Sequence, residues 1–234
     1  MQHVSLVGFC GLGGTKNEQS KRFGSMKIWK RIPYAWRLAI LIWVGARLLT
    51  WAFGAGLYYS HIISSGFDYN PDIELLPAGS FLSAFFGVWM RWDGVSYDLI
   101  ANKGYFAHPK ISAFWPLYPL LARSLIVLGI HPIISLIIIS NLASFFALLI
   151  FLLEVEALLG KEKMPKAGLA FMFFPGAFFF FTAYPTSLAI LLILLAWRFA
   201  RLNKWLAASI AGLLSGLTHP TESHYPFYYL SWHS

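Results

Sequence analysis

Acidic residues and cysteine are scarce in this chain. Aspartate and glutamate together supply 10 of its 234 residues, and Cys10 is the one cysteine. A single thiol excludes a disulfide framework and a thiolate metal cluster. The 7 histidines show no His-x-x-x-His spacing, so a histidine metal site is not expected. In so acid-poor a chain, an acid such as Asp93, directly after Arg91-Trp92, requires an explanation.

Apolar residues are abundant. Hydrophobic residues make up 58% of the chain and aromatic residues 18%, and the mean hydropathy is +0.61. Several continuous apolar runs approach the roughly 20 residues that an α-helix needs to cross about 30 Å of hydrocarbon. These features predict an all-α, polytopic transmembrane bundle of about five spans (four to six), with a long first outer loop.

The formal net charge of +8 comes mainly from residues beside the apolar runs. Basic residues precede the first run, at Lys16, Lys21, Arg22, Lys27, Lys30, Arg31 and Arg37. Lysine and arginine collect on the cytoplasmic side of membrane proteins. The bias therefore predicts a cytoplasmic N-terminus and accounts for the charge without a nucleic-acid partner.

The predicted spans are apolar runs between polar or proline-containing breaks. They are residues 36–59, 133–153, 168–183, 186–199 and 205–218. The outer loop covers 60–111. Within it, the apolar stretch 81–90 is too short for a span and is expected to lie along the membrane interface.

The segment 112–130 has two interpretations, because Pro116 and Pro119 interrupt an otherwise apolar run. As a full span, it would put the basic stretches 161–166 and 198–204 outside the cell. As a helix on the outer surface, it puts both stretches in the cytoplasm. We favour the surface helix because it satisfies the charge bias at both places.

One domain is predicted over 36–221. Residues 1–35 are expected to form a cytoplasmic tail, of which 1–25 are either disordered or not translated, with Met26 as the start. Residues 222–234 are expected to form a divergent C-terminal tail.

Two polar residues interrupt apolar spans. Arg47 lies in the middle of the first span, where it either pairs inside the bundle or marks a functional site. Asn141 is expected to be buried and to bond to a neighbouring helix.

The topology places three polar segments on one outer face: the Asp93 loop, the turn at 184–187 and the end of the last span at 219–221. Either helix ends are simply polar, or these segments form a site at the membrane surface. Asp93 is correspondingly either the N-cap of a helix or a general base in a partly dry pocket. Asp98, five residues later, would not share its helical face, so paired-carboxylate chemistry is not indicated.

Aromatic residues alternate with prolines in 114–121, which contains Trp115 and Tyr118. Such residues most often anchor a chain at the level of the lipid headgroups. The alternative is a rigid wall against which a lipid carrier or a sugar packs. The hydroxyls of Tyr184 and Ser187 likewise either serve packing or bind a phosphate or a sugar.

Several segments, in this order, resemble the PIG-V family of membrane mannosyltransferases, over roughly residues 36–221. They are Arg91-Trp92-Asp93-Gly94-Val95-Ser96-Tyr97, Ile100-Ala101-Asn102-Lys103-Gly104-Tyr105, Phe114-Trp115-Pro116-Leu117-Tyr118-Pro119-Leu120-Leu121, Phe174-Pro175-Gly176-Ala177-Phe178-Phe179 and Leu217-Thr218-His219-Pro220-Thr221.

The resemblance implies a GT-C fold and transfer of a sugar, expected to be mannose, from a polyprenyl- or dolichyl-phosphate donor with inversion. Asp93 matches the essential acid of the first outer loop and would be the catalytic base. Candidate substrate-binding residues in or beside the matching segments are Arg91, Trp92, Tyr97, Tyr105, Trp115, Tyr118, Tyr184, Ser187 and His219. No cofactor or metal is implied. The partners would be membrane lipid, the lipid-linked donor and a lipid-linked or extracytoplasmic acceptor.

The chain departs from the family pattern at three places. Tyr184 is followed by Pro-Thr-Ser where an acid is common, His219 stands where arginine is usual, and family members continue for several more spans. We therefore expect a C-terminally truncated member. Two alternatives stay open: an inactive remnant or non-catalytic subunit, and a transporter or lipid-handling protein. The expected location is a bacterial plasma membrane, or the endoplasmic reticulum membrane in a eukaryote.

Overall fold

The computed structural model describes residues 32–63, 76–107, 111 and 113–218. The secondary structure of these residues is helical, without a β-strand among them, which confirms the predicted all-α class. The first helix, α1 (Tyr34–Tyr59), has 26 residues and confirms the helix predicted at 36–59. It begins directly after Pro33, whose fixed φ suits the start of a helix.

Short helices follow α1. They are α2 (Phe81–Phe85), α3 (Gly94–Lys103) and α4 (Leu117–Val127), with 3₁₀ turns at Gly87–Trp89 and Tyr105–Ala107. With 11 residues, α4 is about 16 Å long, too short to cross about 30 Å of hydrocarbon. In agreement with our expectation, the segment 112–130 therefore does not form a full helical span. Its position on the outer surface stays a prediction.

The longest helix is α5 (Pro132–Leu159), with 28 residues, and it extends beyond the predicted 133–153. It packs against α1 and α4, and also against the helices at Met164–Phe173 and Thr186–Arg201. The predicted bond from Asn141 to a neighbouring helix is wrong. Its Nδ2 instead donates to the carbonyl of Ile137, 2.6 Å away on the same helix, because a carbonyl one turn back lies within reach of a short amide side chain.

The predicted continuous helix at 168–183 is also wrong. Helix α6 (Met164–Phe173) ends before Phe174, which has an extended backbone (φ −68°, ψ 155°), and a 3₁₀ segment follows at Pro175–Phe180. The break has a local cause, since proline disfavours the helical conformation of the residue before it.

The last two helices are α7 (Thr186–Arg201) and α8 (Trp205–Gly216), which confirm the helices predicted at 186–199 and 205–218. Ser187 near the start of α7 bonds to Ser140 of α5, and the end of α7 bonds to Glu154 farther along α5, so the two helices run parallel. Helix α8 runs back beside α7. Ser215, near the end of α8, donates its Oγ hydrogen to the carbonyl of Ala189, near the start of α7, at 3.5 Å.

These directions gather basic side chains at one end of the bundle, which we call the basic end. It contains Lys161, Lys163, Lys166, Arg198, Arg201 and Lys204. The start of α1 lies at the same end, with Lys161 Nζ 4.6 Å from the centre of the Tyr34 ring. The two basic stretches thus share one end, as the charge argument predicted. The side of the membrane that this end faces stays a prediction.

Two helices, α1 and α5, are long and apolar enough to cross a membrane. Large apolar side chains are exposed on α1, at Leu41, Leu48, Leu49 and Phe53. Such an apolar exterior suits contact with lipid better than contact with water. The arrangement of about five spans stays a prediction, because the other helices are shorter than a helical span.

Candidate functional site

Asp93 occupies the residue before α3, so the predicted helix start is confirmed. Its side chain nevertheless makes no capping hydrogen bond. The side chain is exposed, so the described residues do not form the partly dry pocket of the general-base alternative. Asp98, in contrast, is 1% exposed. The two carboxylates therefore do not share a surface, in agreement with the prediction from their spacing.

The backbone on both sides of Asp93 is closely constrained. Trp92 has a φ of 45°, a left-handed conformation that a bulky residue rarely adopts. Its exposed ring lies 6.2 Å from that of Phe178, between centroids. A Cβ on Gly94 would lie 3.1 Å from the carbonyl oxygen of Ala183, so glycine permits a close approach here. The Asp93 loop is therefore held against the segment before Tyr184.

A hydrogen bond joins that loop to the turn. The backbone N–H of Asp93 donates to the phenol oxygen of Tyr184 at 3.0 Å. Burial, opposed in part by this bond and assisted by the charge of Asp93, raises the pKa of Tyr184 to about 12. The phenol is therefore protonated near neutral pH. Since its oxygen accepts from Asp93, its own hydrogen is available to another acceptor.

Behind this contact lies a set of buried hydroxyls that we call the hydroxyl network: Tyr118, Ser140, Tyr184 and Ser187. Ser140 Oγ donates to the carbonyl of Tyr184 at 2.8 Å, and Ser187 Oγ donates to the carbonyl of Ser140 at 2.9 Å. The phenol of Tyr118 lies 2.8 Å from Ser140 Oγ and 3.0 Å from the carbonyl of Leu136. Because Ser140 uses its hydrogen on Tyr184, Tyr118 donates to one of these two oxygens.

The hydroxyl network changes the role of two predicted substrate-binding residues. Tyr118 and Ser187 are fully buried and use their hydroxyls on protein oxygens, so they do not present them to a ligand. Both residues hold the Tyr184 turn in place through Ser140. Tyr118 is therefore part of the core and is neither an exposed anchor nor a wall for a substrate.

Aromatic residues pack beside this network. The ring of the buried Tyr97 lies 5.1 Å from that of Phe114 and 5.2 Å from that of Tyr118. Tyr105 donates its hydroxyl to the carbonyl of Phe114 at 2.8 Å. Burial, together with the nearby charge of Asp93, raises the pKa of Tyr97, and burial also raises the pKa of Tyr105. Trp115 is half-buried.

The remaining predicted site residues lie at the edges of this region. Arg91 is half-buried, and its Nε donates to the carbonyl of Val88 at 3.1 Å. His219 lies outside the described residues. The end of α8 reaches the region nonetheless, because the N–H of Leu117 donates to the carbonyl of Leu217 at 3.0 Å. Segments distant in sequence are thus brought to one end of the bundle.

The sequence analysis missed Ser140, which bonds to the three other residues of the hydroxyl network. The signal in the sequence was the pair Ser140 and Ser144, one helical turn apart in an apolar run. Ser144 also makes a contact between helices, because its Oγ accepts from the indole N–H of Trp43 on α1. The tightly buried carboxyl of Asp98 was also not anticipated.

Among the residues that the structure describes, no group of three or more His, Cys, Asp or Glu side chains could hold a metal ion. No family model, curated protein or solved structure matches the chain. The resemblance to the PIG-V family therefore rests on the sequence segments alone.

Proposed function

We propose that the chain is a membrane glycosyltransferase, which moves a sugar from a polyprenyl-phosphate donor to a lipid-linked or extracytoplasmic acceptor with inversion. The resemblance supports mannose as the sugar. The structural observation that carries the proposal is the 3.0 Å bond between Asp93 and Tyr184, which are 91 residues apart. This bond joins the Asp93 loop, which matches the family's acid, to the turn at 184–187, which follows the matching segment 174–179.

The proposed chemistry uses Asp93 as a general base. Its carboxylate would accept the proton of an acceptor hydroxyl while that oxygen attacks the anomeric carbon of the sugar. The bond from this carbon to the phosphate breaks, and the polyprenyl phosphate leaves with the electron pair. The exposed carboxylate is accessible to an acceptor. The neutral phenol of Tyr184 can donate its hydrogen to a substrate oxygen beside it.

The proposed location of the reaction is the membrane surface. Helices α1 and α5 have the length and composition of spans, and α1 exposes apolar side chains. A polyprenyl chain would remain in the bilayer while its phosphate lies close to the Asp93 loop. This geometry supports a lipid-linked donor better than a soluble nucleotide sugar.

The proposal is tested by transfer of labelled mannose from polyprenyl-phosphate mannose in membranes that contain the chain. We expect Asp93→Asn to lower the rate by about a hundredfold or more, because removal of a general base costs on that order. Glu156→Gln is the matched control, since Glu156 is an exposed acid near the basic end, and its rate should equal that of the unchanged chain. Equal rates for Asp93→Asn and the unchanged chain, or no transfer by the latter, would contradict the proposal.

A second candidate is a lipid-binding protein without chemistry. The observation that favours it is the exposure of the Asp93 carboxylate, since a catalytic base is commonly held in a more enclosed site. This candidate predicts binding of the polyprenyl phosphate without transfer of the sugar. The same assay, combined with a binding measurement, separates the two functions.

A further inference from the structure

Arg47 lies in the middle of α1 and is 1% exposed. Its Cζ lies 4.5 Å from the ring centre of Trp51, 5.2 Å from that of Phe181 and 5.6 Å from that of Trp89. Among the described residues, one hydrogen bond reaches it, from Nη1 to the carbonyl of Phe181 at 3.3 Å. The guanidinium is thus enclosed by aromatic rings and one neutral carbonyl.

This enclosure contains more hydrogen-bond donors than acceptors. Nε and Nη2 of Arg47 and the indole N–H groups of Trp51 and Trp89 are buried without hydrogen-bond partners. Within the described ranges Arg47 forms no ion pair, so the pairing that we considered for it is not made with an acid there. A buried cation without a counter-charge is strongly unfavourable, and buried donors are normally satisfied.

We propose that Arg47, Trp51 and Trp89 form a binding site for the phosphate of a membrane lipid. An anionic oxygen supplies what the cluster lacks, because it carries negative charge and accepts hydrogen bonds from several N–H groups. Arginine suits this role, since its planar guanidinium can donate two parallel bonds to one phosphate.

The surroundings indicate that a lipid carries the phosphate. The Trp51 ring lies 5.7 Å from that of Phe85, which stacks at 4.0 Å on the ring of Phe81. Phe81 is 62% exposed, and Leu48, next to Arg47, is 57% exposed. These apolar side chains connect the exterior with the cluster. They would pack against a hydrocarbon chain, whereas a free phosphate ion would gain nothing from them.

The site is reached by movement of an indole ring. Trp51 and Trp89 are half-buried and cover the fully buried Arg47. Neither indole N–H has a partner, so either ring can move without breaking a hydrogen bond. An arriving phosphate would then accept from the guanidinium.

The cluster adjoins the proposed reaction site. Ala183 donates its N–H to the carbonyl of Trp89 at 3.2 Å. Trp89 covers Arg47, and Ala183 directly precedes Tyr184, which bonds to Asp93. That the phosphate belongs to the sugar donor rests on the proposed function. The phosphate site itself does not depend on catalysis.

The test is native mass spectrometry of the purified chain in a phosphate-free, non-ionic detergent. Three probes are titrated: a polyprenyl phosphate, the matching neutral polyprenol and inorganic phosphate. We expect the polyprenyl phosphate to bind at least about tenfold more tightly than either other probe, because only it offers both the anion and the chain. Arg47→Gln should weaken its binding by about tenfold or more.

Arg123→Gln is the matched control, because Arg123 is an exposed arginine of α4 with one long bond of 3.4 Å to the carbonyl of Ala101. It should bind like the unchanged chain. Trp51→Phe and Trp89→Phe keep an aromatic ring and lose the N–H, and each should weaken binding by about threefold. These two variants carry the test if Arg47→Gln does not fold.

Three results would overturn the site. They are equal binding of the polyprenol, equal binding of inorganic phosphate, and unchanged binding by folded Arg47→Gln or by both tryptophan variants. Asp93→Asn separates this proposal from the proposed function, since it should keep the binding and lose the transfer. If the chain shows Arg47-dependent binding but no transfer, the proposed phosphate site stands and the proposed glycosyltransferase function is contradicted.

Discussion

The two ends of the bundle are stabilised by different chemistry. At the basic end, Glu154 is 5% exposed and accepts bonds of 2.7 Å from each of Arg198 and Arg201. The side chains of these arginines are 27% and 33% exposed, so their charge reaches the surroundings of the bundle. At the other end, the hydroxyl network joins the helices through neutral groups. The ion pair at the basic end thus stays partly solvated, whereas the hydroxyl network is neutral and buried.

The difference also concerns what each end can do. Buried apolar residues around Ile42, Leu148 and Phe180 form one hydrophobic cluster, beside which Arg47 and Ser144 are also buried. The core near Asp93 contains Tyr97 and Tyr118, whose polar groups fix the orientation of neighbouring segments. The Asp93 end thus presents an exposed acid beside buried hydroxyls, whereas the basic end presents the ion pair of Glu154 with Arg198 and Arg201.

The largest effect on stability should come from the basic end. Glu154→Ala leaves two arginines without their carboxylate and should lower the free energy of unfolding by about 2 kcal/mol, less than for a fully buried pair because the guanidiniums are partly exposed. Glu156→Ala, which removes an exposed acid two residues later, should change it by less than about 0.5 kcal/mol. Denaturant unfolding in detergent, followed by circular dichroism, measures both values. Equal losses would show that the ion pair does not stabilise this end.

A smaller loss is expected from the hydroxyl network. Tyr118→Phe removes one buried hydroxyl and leaves the carbonyl of Leu136 or Ser140 Oγ with one donor fewer, which should cost about 1.5 kcal/mol. Tyr59→Phe is the control, because Tyr59 is 56% exposed. Moderate salt should weaken the effect at Glu154 and leave the effect at Tyr118 unchanged, since only the first depends on charge. The comparison fails if both effects respond equally to salt.

A third effect should appear in alkaline solution. The pKa of Tyr184 is raised from 10.0 to about 12 in the folded chain. Between these values the unfolded chain releases the phenol proton while the folded chain keeps it, so stability falls as the pH rises; below pH 10.0 this contribution is fully present. Tyr184→Phe should flatten the pH dependence of the unfolding free energy in this range. An identical pH dependence would contradict the assigned environment of Tyr184.

Much of the fold was predictable from the sequence, because apolar runs specify helices directly. The breaks were harder. The prediction of one helix over 168–183 was wrong. Pro175 disfavours a helical conformation at Phe174, and this local effect prevailed over the continuous hydrophobicity of the segment. Charge placement predicted that 161–166 and 198–204 share one end. The ion pair with Glu154, which directly follows the predicted span 133–153, was not anticipated.

The candidate site was predictable in its segments and less so in its contacts. Motif order identified Asp93 and Tyr184, but the sequence contained no information on whether a hydroxyl faces a ligand or the protein. Tyr118 and Ser187 proved to bond within the protein through Ser140. The environment of Arg47 depends on rings from distant parts of the chain, at Trp89 and Phe181, and therefore required the structure.

The central claim is that the two ends face opposite sides of one membrane, with the Asp93 end outside. It is tested by labelling single cysteines with a membrane-impermeant maleimide, after replacement of Cys10 by serine. Ala113→Cys lies near the Asp93 end and Lys163→Cys at the basic end, and both positions are exposed. The account predicts that intact cells label position 113 and that position 163 reacts only after permeabilisation. Labelling of both positions from the same side would contradict it.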